Sequence, residues 1–136
     1  MRGFLGVSFE FVVETKQGEE LLDITERVTG LVREHGKDRK VCQVFVPHTT
    51  AGITINEHAD PDVKSDLLLA MRKVVPFLRE YRHVEGNSPS HVKASLTGSS
   101  VSVPVDDGRL LLGTWQGIFL AEFDGPRRRT VIVTLV

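Results

Sequence analysis

Apolar residues recur at every second position near the start of the chain, where Val7, Phe9, Phe11 and Val13 enclose Ser8 and Glu10. From Phe4 to Thr15 this alternation predicts a half-buried strand. Lys16-Gln17-Gly18-Glu19 reads as a turn, and Leu21-Leu22 as a short returning strand. The period then lengthens. Ile24, Val28, Leu31 and Val32 repeat at helical spacing behind Asp23 and Glu26, a capping-box-like start, and Gly36 is placed to close the helix in a left-handed conformation. His35, in the last turn, reads as a surface residue near the carbonyl end.

Val41 to Val46 and Ile53 to Glu57 are two further strands. Asp60, Pro61 and Asp62 open a second helix, with Asp60 as cap and Pro61 at the first position. Its predicted buried stripe is Val63, Leu67, Met71 and Val74, widened by Leu68, Ala70 and Val75, and Pro76 ends it. A polar connection, 81–87, leads to a short helix that starts at Ser88-Pro89 and stops at Gly98. On it His91 and Ser95 lie one turn apart, beside the apolar pair Val92 and Leu96. Val101, Val103 and Val105 restore the β pattern, and Asp106-Asp107-Gly108 marks a hairpin. Leu110 to Leu112, Ile118 to Leu120 and Thr130 to Val136 are the later strands, the last preceded by the turn Asp124-Gly125-Pro126. Strands broken by isolated helices, without regular βαβ alternation, predict a single α+β domain over 1–136. Its sheet is mostly antiparallel, with two longer helices and one short one.

Composition narrows the function classes. The chain has 136 residues, 40% hydrophobic and 26% charged, as expected of one soluble domain with a real core. A formal net charge of −1 argues against nucleic acid or a membrane surface as an electrostatically held partner. No apolar run approaches the roughly 18 residues of a membrane span, and Met1 to Gly6 lacks a signal-type apolar core. A single cysteine excludes an internal disulfide. Cytoplasmic location is the expectation, with Cys42 a small buried hydrophobe.

The chemistry concentrates where the strand Val41–Val46 ends. His48 follows Pro47, the hydroxyls of Thr49 and Thr50 follow at once, and Gly52 allows close backbone approach. Downstream, His83 and His91 bracket Glu85 and Asn87. Three imidazoles suit the three-protein-ligand site of a catalytic zinc, which leaves one position for water or substrate. Glu57 continues the Ile53-Ile55 face, where a charge needs a partner. It would orient a metal-bound histidine or serve as a general base. In Gly113-Thr114-Trp115-Gln116-Gly117, Trp115 suits either a stacking pocket wall or a bulged strand with a core Trp. Arg127 and Arg129 fall on one strand face, as a phosphate clamp or as edge-strand charge.

With these residues in view, the chain resembles the YjbQ-like family, also known as the secondary thiamine-phosphate synthase family. The resemblance rests on His48-Thr49-Thr50-Ala51, Ile55-Asn56-Glu57 with Ala59-Asp60-Pro61-Asp62, and Tyr81-Arg82-His83. It continues through Asn87 with His91, Leu111-Leu112-Gly113-Thr114-Trp115-Gln116, and Asp124-Gly125-Pro126-Arg127 with Arg129. It implies a compact sandwich- or barrel-like α+β fold assembled as a homotrimer. It further implies a pocket lined by His48, His83 and His91, with Asn56, Glu57, Asn87 and Gln116 nearby, that binds a divalent metal. His58 stands where the family pattern often has Asn, so no ligand role carries over to it. Ser88-Pro89-Ser90 replaces a small, alanine-rich segment, although the Asn87-to-His91 spacing is kept.

The activity implied is the joining of hydroxymethylpyrimidine diphosphate to a thiazole phosphate, giving thiamine phosphate and pyrophosphate. Arg127, Arg129 and Trp115 would hold the departing pyrophosphate and the flat ring. Histidine ligands favour zinc, whereas pyrophosphate chemistry favours magnesium on oxygen ligands. That mismatch keeps open a metal-dependent hydrolase or lyase of unknown substrate, and a non-catalytic metal- or ligand-binding trimer.

Overall fold

The computed structural model describes residues 6–136. The order is β1 (Val7–Glu14), β2 (Glu20–Asp23), α1 (Thr25–His35), β3 (Val41–Phe45), β4 (Ala51–Glu57), α2 (Pro61–Val74) and α3 (Ser88–Thr97). It continues with β5 (Ser100–Asp106), β6 (Arg109–Leu110), β7 (Gln116–Glu122) and β8 (Arg128–Leu135). Phe4, at the start of the predicted first strand, lies outside the described residues. Every strand pairing is antiparallel, in a five-stranded sheet β1-β8-β3-β5-β6 and a three-stranded sheet β2-β7-β4. The α+β class and the antiparallel sheets are as the hydrophobic pattern predicts.

Strand β7 shows why the sheets stack. Its residues from Gly117 to Glu122 are all buried, so both faces are covered. Ile118 and Leu120 face the five-stranded sheet and join a core with Val44, Val103, Val131 and Val133. Val28 and Val32 of α1 enter that core at full burial. Ala121 packs on the opposite side with Ala94 of α3, Met71 of α2 and Phe123. The three-stranded sheet is therefore the middle layer, with the larger sheet on one side and α2 and α3 on the other. Among the described residues, no helix is long and apolar enough to cross a membrane.

Local signals are met with informative exceptions. Asp60 accepts a hydrogen bond from Asp62 N–H at 2.9 Å, and Pro61 opens α2 as expected. The 106–108 hairpin turns through Asp107 at φ 49° and Gly108 at φ 75°, the left-handed pair of a tight two-residue turn. Gly98 ends α3 at φ 93°. Gly36 ends α1 at φ −104°, not left-handed; its need for glycine is steric, because a Cβ would lie 2.5 Å from the Val32 carbonyl oxygen. Asp23 and Glu26 form no capping box. Asp23 instead accepts from Thr25 N–H at 2.9 Å. Val74 is 70% exposed while Val75 is 5% exposed; the helix stops at Val74, and the extended turn after it swings the next side chain inward.

Candidate functional site

His48 is held by its imidazole. The loop from β3 to β4 is pinned where Val46 N–H donates to Ser99 O, and His48 Nε2 accepts from Thr130 N–H of β8 at 2.9 Å. In the neutral ring this places the proton on Nδ1, which leaves His48 a donor on its other side. Burial lowers its pKa from the ordinary histidine value. Arg129 and Arg127 push the same way, and Glu122 opposes them in part. The neutral ring is favoured.

A cleft of about 490 Å³ lies between this loop and α3, lined by His48, Thr49, Ala51, His91, Ala94 and Ser95. Gly52 permits the approach of the two walls, since a Cβ there would meet Gly98 O at 2.7 Å and the Thr97 side chain at 2.8 Å. His91 meets His83 edge to face, with centroids 5.1 Å apart. One turn earlier, Asn87 donates through Nδ2 to Asp124 Oδ2 at 2.8 Å. Its Oδ1 is enclosed without a hydrogen-bond partner among the described residues. Arg127 stands beside it, on Asp124 Oδ2 at 3.0 Å and Asp124 O at 2.7 Å, with its side chain half exposed.

Behind the cleft is a buried ion pair. Arg129 is 2% exposed and Glu122 is fully buried. Arg129 Nε donates to Glu122 Oε1 at 2.8 Å, and Nη2 donates to Glu122 Oε2 and to Thr50 Oγ1 at 2.8 Å. Thr15 and the Asp124 N–H complete the carboxylate's partners. The expected two-arginine clamp is therefore not formed. Arg127 reaches the surface, but Arg129 is enclosed with Nε and Nη2 engaged by Glu122 and Thr50, and so positions Thr50 and its loop.

Other expected members lie elsewhere. Ala51 pairs with Glu122 at one end of the β4–β7 ladder, and Glu57 pairs with Gln116 at the other. Six residue steps make that separation about 20 Å. Asn56, Glu57, Trp115 and Gln116 are thus remote from His48 within one chain. Gln116 Oε1 closes the Gly113 turn by accepting its N–H at 2.8 Å, and Asn56 Oδ1 accepts Glu57 N–H at 2.7 Å. Trp115 is 63% exposed, so it is neither a core residue nor a wall of this cleft. Among the described residues no three His, Cys, Asp or Glu side chains form a group able to hold a metal ion. The expected His48, His83 and His91 centre is not assembled as a trio: His83 and His91 adjoin, while Thr130 occupies the Nε2 lone pair of His48.

Two arrangements escaped the sequence reading. Glu122 falls on the alternation of Ile118 and Leu120, a carboxylate in line with core residues, and that position signals a buried partner. His58 donates through Nδ1 to Asp23 Oδ2 at 2.9 Å and packs against Gly117, where a Cβ would lie 2.5 Å from the ring. Its signal is weaker, because Asp23 and His58 are 35 residues apart.

The likeness to known proteins agrees with this description. The family model "UPF0047 protein YjbQ-like" matches residues 9–136. The chain is 47% identical over 128 residues to UPF0047 protein MJ1081 of Methanocaldococcus jannaschii, covering 94% of this chain and 93% of that protein. It is 48% identical over 125 residues to UPF0047 protein YugU of Bacillus subtilis, covering 91% and 95%. A crystal structure of a YjbQ/UPF0047 protein from Clostridium acetobutylicum superposes with a TM-score of 0.90 at 51% identity, covering 94% of this chain and 99% of that one. A YbjQ-like protein of unknown function from Sulfolobus solfataricus gives 0.91 at 34% identity, covering 96% of each. Matched over nearly its whole length in sequence and in backbone, the chain belongs to the UPF0047 (YjbQ-like) family.

Proposed function

We propose that the cleft between His48 and α3 binds a phosphorylated small molecule, and that the chain is a transferase of thiamine-phosphate synthase type. The carrying observation is the pair His83 and His91 beside a cleft whose opposite wall presents His48 as a neutral donor. The cofactor proposed is a divalent metal, zinc by ligand chemistry. The adjoining His83 and His91 rings, 5.1 Å apart between centroids, are the two imidazoles proposed as its ligands. The enclosed Asn87 Oδ1 offers an oxygen one turn before His91. Such an ion would act as a Lewis acid toward phosphoryl oxygens.

The chain's own groups have distinct tasks. His48 Nδ1–H and the Thr49 hydroxyl donate to a phosphoryl oxygen, where charge develops as pyrophosphate departs. Arg127, fixed by Asp124, adds a guanidinium to the same anion. Arg129 and Glu122 hold Thr50 beneath the loop. Assembly as a homotrimer belongs to this proposal, supported by exposed apolar Val74, Phe77, Leu78 and Leu96 around α2 and α3. A role for Glu57 or Trp115 at this cleft requires a second chain, given the length of the β4–β7 ladder.

A second reading, a metal-dependent hydrolase or lyase acting on another phosphorylated compound, draws on the same imidazole pair, because histidine is a poor ligand for the magnesium that pyrophosphate transfer favours. The test is to incubate untagged protein with the two phosphorylated halves, in zinc and in magnesium. Formation of thiamine phosphate, reduced about 100-fold or more by His48→Ala, supports the transferase. Absence of product above a heat-inactivated control overturns it.

A further inference from the structure

The opposite end of the β4–β7 ladder carries an imidazole that is fixed by more contacts than a surface ion pair needs. His58 N–H donates to Trp115 O at 3.0 Å, its ring lies on Gly117, and its Nδ1 meets Asp23. Asp23 is itself fixed through Oδ1 by Thr25 N–H and Thr25 Oγ1, and that hydroxyl accepts Ile118 N–H at 2.8 Å. Four elements thus orient one ring. Its Nε2 has no partner among the described residues and lines a cleft of about 300 Å³ with Asp23, Thr25, Glu26, Thr29 and Arg33.

That cleft continues into a second one. Thr29 and Arg33 also line a groove of about 600 Å³ between α1 and the β5–β6 hairpin, where Lys37 and Arg109 join them. Arg33, Lys37 and Arg109 make no ion pair or side-chain hydrogen bond with the described residues. The carbonyl end of α1 attracts Arg33 and Lys37. Arg109 comes from a different element and adds a third positive charge, against the single carboxylate of Asp107. The joined clefts are therefore polarised, with Asp23 and Glu26 at the His58 end, Lys37 and Arg109 at the other, and Arg33 lining both.

We propose that these adjoining clefts are a second ligand site, for a small phosphate monoester carrying an amino or hydroxyl group. Arg33, which lines both clefts, takes the phosphate, and Lys37 and Arg109 add positive potential from the groove beside it. His58 Nε2, backed by Asp23, accepts a hydrogen bond from the ligand's amine or hydroxyl, and Glu26 adds a favourable charge for an amine. None of these residues lines the His48 cleft, so the inference is independent of the proposed transferase.

The test is a titration of the isotope-labelled full chain with O-phosphoethanolamine, inorganic phosphate and ethanolamine, followed by backbone amide and imidazole resonances. Both phosphates should give saturable shifts at Arg33, Lys37, Gly108 and Arg109. The His58 imidazole should move with O-phosphoethanolamine and not with inorganic phosphate. An Arg33→Gln, Arg109→Gln double variant should keep the parent's thermal midpoint and lose about tenfold or more in affinity. His58→Gln should weaken O-phosphoethanolamine while leaving inorganic phosphate binding unchanged. Shifts confined to the His48 cleft, no saturation with either phosphate, or unchanged affinity in the double variant would each overturn the proposal.

Discussion

Arg129 and Glu122 join the two sheets through their side chains: β8 supplies the guanidinium, β7 the carboxylate, and both are enclosed. The pair holds Thr50 two residues from His48, so a bond made inside the core determines where the cleft loop sits. Removing one partner leaves the other without its complement. Arg129→Met and Glu122→Gln should each cost about 3–5 kcal/mol of stability, with part of the loss recovered in an Arg129→Met, Glu122→Leu double variant. Urea denaturation monitored by circular dichroism measures this, and single-variant losses under about 1 kcal/mol would show that the tie is not needed.

His48 sets a pH dependence. Its pKa is lowered in the folded chain, first by burial and then by Arg129. The folded state therefore binds this proton less readily than the unfolded state does. The contribution to stability is complete above the unfolded value of about 6.5 and falls as pH drops through that value toward the folded one. Protonation also removes the acceptor that Thr130 N–H uses. Thermal midpoints of the parent should fall more steeply below about pH 6.5 than those of His48→Gln; parallel profiles would refute the assignment.

Gly52 is the spacer between β4 and α3. Gly52→Ala puts a methyl 2.7 Å from Gly98 O, and the backbone oxygen cannot rotate away. The expected outcome is a loss of about 1–3 kcal/mol, together with shifted amide resonances from His91 to Ser99. A variant with parent stability and an unmoved α3 would show that the walls yield freely.

Metal uptake should separate the two ends of the ladder. His91→Ala and His83→Ala should each lose zinc measured by mass spectrometry after dialysis, with stability close to that of the parent. Glu57→Gln should retain it, because Glu57 lies about 20 Å from the cleft within its own chain. Loss of zinc in Glu57→Gln would place a neighbouring chain's Glu57 at the site.

Cys42 is fully buried in the middle of the larger sheet, and burial pushes its thiol up to about 11. The native protein should release no chromophore from a disulfide reagent at mildly alkaline pH, and one thiol should react once denaturant is added.

Much of this was legible in the sequence because it depends on local chemistry. Alternation gave β1, the Asp60-Pro61 pair gave the start of α2, and Asp107-Gly108 gave the hairpin. The likeness of His48, His83 and His91 to a single cavity was half legible. His91 does share a cleft with His48 and adjoins His83, but His48 Nε2 accepts a backbone hydrogen bond from Thr130 that no spacing reveals. Glu57 and Gln116 are grouped with His48 by the family resemblance, not by any spacing in the chain. Register decides otherwise: β4 and β7 run the full ladder between them, and register emerges only when strands pair. The exposure of Trp115 likewise depends on the turn closed by Gln116, a contact too particular for composition to announce.

The strand that joins β1 to β3 is β8, one hundred and more positions downstream of the first. Until residues 128–135 are made, β1 and β3 lack the strand that pairs with both, so each has an unpaired edge. Those edges are open to pairing with other nascent chains during that interval. Trimming even the last few positions of β8 would remove a central slat rather than fray a margin, so intolerance to shortening at that end is built into the order of the strands.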